Sequence, residues 1–242
     1  MPFSPDAIWN AILIVTQFII LLTFHEWGHA KSANMLGDPT AKDLGRMSLN
    51  PAVHIDPIGT LMLPLIGSLS SSLFGGASRG MFFGWAKPVP VDPYNLRNPR
   101  RDLMLIAAAG PFMNIVLTFA IFFIIAGLKL VFDVFDLKTD HGDIYVQIYF
   151  FLNTSAQISV FLAVFNMLPL FPLDGFSVVN GLLPERASRE FSKLAPYGMP
   201  ILMALIFLPF VLPIGSPLSF LGDITYFIFS LIRKIVDVIG IL

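Results

Sequence analysis

The chain has no cysteine. That removes disulfides and thiolate ligands, so any bound metal must be held by His, Asp, Glu or carbonyl oxygens. Charge is scarce as well: Asp, Glu, Lys and Arg make up 13% of the 242 residues, against about 25% in an ordinary soluble domain. The formal net charge of −1 leaves no basic surface in bulk. Phosphate neutralisation needs one, which argues against a nucleic-acid partner. Apolar residues are what the chain does have, with 55% hydrophobic residues and a mean hydropathy of +0.76. Such a composition places the chain in a lipid bilayer.

A bilayer crossing takes about 20 mainly apolar residues. Residues 8–31 meet that length, and no Lys or Arg precedes them, so the segment reads as a retained span and not as a signal peptide. Further candidates are 103–128, 144–170, 194–214 and 218–232. Residues 57–77 are uncharged but interrupted by Gly59, Pro64, Gly67 and a serine cluster. The expectation is an all-α polytopic membrane protein of five or six hydrophobic helices. It includes one re-entrant segment and a small membrane-associated β element, in one domain over 1–242.

Ionisable residues are expensive at the end of the first apolar run, yet it reads "LLTFHEWGHAKSANMLG". Residues four apart on a helix share a face. His25 and His29 can therefore present two imidazole nitrogens to one ion while Glu26 projects beside them. This is the His-Glu-x-x-His pattern of zinc metalloproteases, in which the histidines bind zinc and the glutamate is the general base. The blander reading is a pair of intramembrane histidines on a proton path or at a helix end, which leaves Glu26 without a role.

Catalytic zinc usually takes three protein ligands and keeps one position for water. The candidate for the third lies in "VFNMLPLFPLDGFSV", where Pro169 and Pro172 prevent a regular helix and Asp174 follows beside Gly175. Irregular backbone at membrane depth is tolerated only when it is buried in protein or lines a watery cavity. A solvated turn at Asp174 and Gly175 is the alternative.

With "HEWGH" at His25–His29, "AAAGPFMN" ending at Asn114 and "NMLPLFPLDG" from Asn166 to Gly175, the chain resembles the site-2 protease family of intramembrane zinc metalloproteases. "NPAVHIDPIGT" and "FGWAKPVPV" are similar to the short branch of that family, which lacks PDZ and nucleotide-sensing domains. The likeness runs from about residue 20 to about 180. It implies a catalytic core at about 8–180, followed by C-terminal helices at about 194–242. It also implies one Zn2+ per chain on His25, His29 and Asp174, water activated by Glu26, and a peptide bond of a transmembrane protein or peptide cut within or near the bilayer. Asn166, by its place in the family motif, is a candidate for orienting substrate or binding the oxyanion, the alternative being an Asn side chain that satisfies a neighbouring helix. The competing class is a transporter or channel using His25, Glu26, His29 and Asp174 as an ion site.

If the three ligands meet, 57–77 cannot cross fully, because the two ends of the site would then sit about 30 Å apart. With that segment dipping in and returning, all fifteen basic residues except Lys129 and Lys138 fall on one face. Basic loops stay cytoplasmic. The expectation is an integral protein of the cell membrane whose active site faces the cytoplasmic side. Residues 81–91 read either as a membrane-associated strand, in which Pro88 and Pro90 blank one edge while Val89 and Val91 keep donors on the other to pair with substrate, or as an extended proline-rich connector. Asn114, one turn past Gly110, reads as packing, and His54 stands outside the catalytic set.

Overall fold

The computed structural model describes residues 4–73, 84–135, 138–212 and 216–238. The long first helix, α1 (Pro5–Leu36), starts where Ser4 Oγ accepts the Ala7 N–H at 3.1 Å and Pro5 supplies a preset φ. It ends at Gly37, whose φ of 112° closes the last turn in a conformation that other residues reach only with strain. Three short elements follow: α2 (Thr40–Asp43), a 3-10 turn (Pro51–Val53) and a π turn (Pro57–Met62) that runs directly into α3 (Leu63–Leu73). A second 3-10 turn (Pro93–Asn95) leads to α4 (Pro99–Val134). The cap of α4 is reciprocal, with Asn98 Oδ1 accepting from the Arg101 N–H and Asp102 Oδ2 from the Asn98 N–H. Then come α5 (Lys138–Asn166), α6 (Asp174–Leu182), α7 (Glu185–Ser192), α8 (Ala195–Val211) and α9 (Phe220–Val238).

The described residues are all-helical, and none of them forms a strand. Residues 81–83 of the expected β element lie outside the described residues. Residues 84–91 form neither helix nor strand. The reason is the partner: the N–H groups of Trp85 and Lys87 go to the carbonyls of Gly59 and His54, which belong to a π turn and the end of a 3-10 turn. Pro88 and Pro90 have no donor with which to extend a ladder.

Among the described residues, three helices are long and apolar enough to cross a membrane: Pro5–Leu36, Pro99–Val134 and Asp143–Asn166. Four are if the bent pair Glu185–Ser192 and Ala195–Leu208 counts as one span. The expected five or six is not met. Pro57–Leu69 is too short, and α9 carries Asp223, Arg233, Lys234 and Asp237 among its apolar residues. Only 33% of the most apolar windows of α1 and α4 is buried inside the protein. Their outward side chains, such as Trp9, Ile12, Phe112 and Ile124, are exposed large hydrophobics, a surface suited to lipid and not to water.

The core joins Phe18, Leu21 and Leu22 of α1 to Phe122 and Ile125 of α4, Val160 of α5 and Phe229, Ile232 and Val236 of α9. Helices α1 and α4 pack antiparallel: Gly28 sits against Ala109 and Met113, while His29, one residue later, reaches back to Ile106. A Cβ on Gly28 would lie 2.8 Å from the Ala109 carbonyl oxygen, so the small residue there serves close packing. The end of α1 and the start of α4 are thus at the same end of the bundle, and the chain between them leaves and returns on one side. Asp38 ties that return together. It is fully buried and accepts from the N–H and hydroxyl of Thr40, the N–H of Asp92 and the amide of Asn95. Burial pushes its carboxyl up, but these hydrogen bonds outweigh burial and hold it below the usual carboxylate range.

Candidate metal and catalytic centre

His25 and His29 occupy successive turns of one face of α1, and both are buried. The ring of His29 is fixed by α4, because its Nδ1 donates to the Ile106 carbonyl at 2.7 Å. That bond puts the proton on Nδ1 and leaves the Nε2 lone pair free for a ligand. Across from them α6 begins at Asp174. Its Oδ2 lies 3.2 Å from His25 Nε2 and its Oδ1 lies 3.4 Å from His29 Nε2. The two Nε2 atoms are 3.1 Å apart. Donors held tetrahedrally at zinc–nitrogen and zinc–oxygen bond lengths would be about 3.3 Å apart, so the three edges of this triangle fit one zinc ion. Among the described residues this is the one group of three His or acidic side chains that could hold a metal.

Two glycines make that approach possible. A Cβ on Gly175 would fall 2.2 Å from the Met167 carbonyl oxygen and 2.4 Å from that of Leu168. Only a residue without a side chain lets the start of α6 tuck under the end of α5 and bring Asp174 to α1. Gly110 of α4 leaves the space that the imidazoles fill, since a Cβ there would lie 2.4 Å from His29 Nε2 and 2.7 Å from His25 Cε1. The close approach that Gly110 permits is thus to the two histidines. The role of Gly175 was missed, and no local signal gives it.

A cavity of about 460 Å³ opens onto the triangle. Glu26 lines it beside the histidines, and no hydrogen bond or ion pair ties up its carboxylate among the described residues. Trp85, Ala86, Pro88 and Val89 form one wall, and Met199 and Leu202 of α8 another. The 84–91 wall is pinned from behind by Arg46, whose guanidinium donates to the Lys87 carbonyl at 2.6 Å, and by Thr60, whose hydroxyl donates to the Trp85 carbonyl at 2.8 Å. Sequence reasoning overlooked both. Asn166 also lines the cavity, but its Nδ2 donates to the Leu162 carbonyl at 2.9 Å. That bond stays within its own helix and does not reach a neighbouring one, and it leaves Asn166 one N–H hydrogen and its Oδ1. His54 is apart from the triangle, buried, with Nε2 donating to the Ser48 carbonyl at 2.8 Å.

Three protein donors beside a cavity, with a carboxylate that has no hydrogen bond or ion pair among the described residues, match the donor number of a catalytic zinc site, which keeps one position for water, and not the four protein ligands of a structural one. Residues 13–209 match peptidase family M50, and the chain belongs to that family. The resemblance to site-2 proteases read from the motifs is borne out at this level. The chain is 32% identical over 208 residues to "Putative zinc metalloprotease YwhC" of Bacillus subtilis (strain 168), a match covering 84% of this chain and 82% of that protein. It is 27% identical over 201 residues to "Putative zinc metalloprotease Rip2" of Mycolicibacterium smegmatis, covering 82% of this chain and 68% of that protein. No solved structure matches the chain.

Proposed function

We propose that this chain is an intramembrane zinc metalloprotease that hydrolyses peptide bonds of membrane-spanning substrates within or near the bilayer. The observation that carries the reading is the convergence of His25, His29 and Asp174, with ligand atoms within 4.8 Å of one another, on a cavity that Glu26 also lines. His25 and His29 through Nε2 and Asp174 through its carboxylate would hold one zinc ion. When bound, zinc supplies a Lewis acid and an acidified water.

The chain's own residues do the rest. The Glu26 carboxylate takes a proton from water in the cavity and delivers it to the amide nitrogen of the leaving strand. The Ile106 carbonyl keeps the His29 ring from turning. Asn166 turns its remaining N–H hydrogen toward the carbonyl under attack and orients it or steadies its oxyanion. A helical substrate has its carbonyls tied up in its own hydrogen bonds, so it must be unwound before attack, and the 84–91 wall offers a surface along which an unwound stretch can lie.

The test is cleavage of a transmembrane peptide by the detergent-purified full chain. Chelation should abolish turnover and stoichiometric Zn2+ should restore it. Turnover that survives complete zinc removal would overturn the reading.

The same reading places the centre toward the cytoplasm of a cell membrane, with 57–77 dipping in and returning. Residues 74–77 of that segment lie outside the described residues. The antiparallel packing of α1 and α4 supports the return, and the positive-inside bias gives its direction. A reporter fused between residues 84 and 98 should therefore read cytoplasmic, and an external signal there would refute the orientation.

A further inference from the structure

We infer that Asn114 is a positioning residue for the metal centre, with its side-chain oxygen accepting the Nδ1–H of His25 through one buried water. The inference rests on the ligand reading above. A histidine that binds zinc through Nε2 carries its proton on Nδ1, and that proton needs an acceptor to fix the ring's tautomer and orientation. His29 has one in the Ile106 carbonyl. The Nδ1 of His25 is buried and has no partner among the described residues.

The register of α1 against α4 indicates where its partner must be. Because the helices run antiparallel, one turn back along α1 corresponds to one turn forward along α4. His29 is level with Ile106 and Gly110, so His25 is level with Gly110 and the next residue on that face, Asn114. Gly110 confirms the first half of this, since a Cβ there would approach His25 Cε1, the ring carbon between Nδ1 and Nε2, at 2.7 Å. On a helix the Cα–Cβ bond tilts toward the N-terminus. The Asn114 side chain therefore leans back toward Gly110 and the His25 ring.

Asn114 is fully buried, and both its amide nitrogen and its amide oxygen lack partners among the described residues. On α1 and α4 these two atoms and His25 Nδ1 are the buried side-chain polar atoms in that condition. One is a donor without an acceptor, and another is an acceptor without a donor. The backbone beneath Asn114 is held in place, because its carbonyl receives the hydroxyls of Thr118 at 2.9 Å and Ser159 at 2.8 Å. A residue that only packs would not need an amide there. The water route is chemically reasonable, since a buried water with a donor, an acceptor and the Asn114 amide around it has the partners it requires.

The experiment measures zinc affinity by chelator competition, and the visible spectrum of the Co2+-substituted protein, on the detergent-purified full chain. Asn114→Leu is expected to weaken zinc about 10- to 100-fold and to shift the Co2+ bands. Asn114→Asp, which restores an acceptor, should return zinc affinity to the wild-type level or above it. Wild-type affinity in Asn114→Leu would overturn the inference, as would equal weakening in both variants, which is the signature of packing alone. Should Asn114→Leu fail to fold, Asn114→Asp decides: unchanged or tighter zinc with shifted Co2+ bands supports the role, and tenfold weaker zinc refutes it. His25→Ala is run alongside. If that variant keeps wild-type zinc affinity, the ligand assignment itself has failed, and this is told apart from a failure specific to Asn114.

Discussion

Glu26→Gln is expected to keep one zinc per chain and to lower peptide cleavage by about 10²- to 10⁴-fold, the range a positioned general acid–base group contributes. Glutamine is nearly isosteric with glutamate and has a similar helix propensity, so α1 should persist. Glu26 is buried at the cavity wall and makes no hydrogen bond or ion pair among the described residues, so neutralising it leaves no hydrogen-bond donor unpaired there. What is lost is the ability to accept a proton from water and pass it to the departing amide nitrogen. The measurement pairs zinc content with the yield of fragments from a transmembrane peptide in vesicles. Cleavage within tenfold of wild type would remove Glu26 from the chemistry. Loss of zinc together with cleavage would instead make Glu26 a ligand, as the ion-transport reading requires.

The parts of the site that were legible in the sequence are those whose signal is local. Two histidines four residues apart on a helix face one point whatever surrounds them, and the structure places their Nε2 atoms 3.1 Å apart. Asp174 was legible because prolines in an apolar run force irregular backbone, and such backbone needs a reason to be at membrane depth. Everything supplied by α4 was not legible. The Ile106 carbonyl that fixes His29, the space at Gly110 and the orphaned amide of Asn114 depend on the register of two helices some eighty residues apart, and no spacing rule encodes that. Asn114 accordingly read as packing.

The count of five or six is not confirmed among the described residues for a different reason. The apolar run 218–232 is short for a span, and the helix that holds it, α9, carries Asp223 within that run and Arg233, Lys234 and Asp237 beyond it. The lack of helix at 84–91 agrees with its prolines. Its partners, a π turn and a 3-10 turn, were not legible, and they decide that the segment forms a pinned wall and not a ladder.

Gly110→Ala should separate the fold from the centre more sharply than any change to a ligand. An added Cβ would lie 2.4 Å from His29 Nε2, 2.5 Å from His29 Cε1 and 2.7 Å from His25 Cε1, all well inside van der Waals contact. Something must move, and α4 is the wrong candidate. It is a 36-residue helix packed against both α1 and α5, and alanine in place of glycine favours its helical state by up to about 1 kcal/mol. The atoms at fault are the ends of two side chains, which can rotate. For His29, however, rotation breaks the bond to the Ile106 carbonyl, and for both rings it turns Nε2 away from Asp174. The relaxation that spares the fold therefore dismantles the donor triangle. Purified Gly110→Ala is expected to melt in its metal-free form at or above the wild-type temperature while binding zinc at least about 10²-fold more weakly, a loss of roughly 3 kcal/mol at about 1.4 kcal/mol per tenfold. Gly110→Val should bind no zinc. Stoichiometric zinc retained by Gly110→Ala after dialysis against a chelator would mean that the imidazoles do not need that space, and that the ion, if any, is held elsewhere.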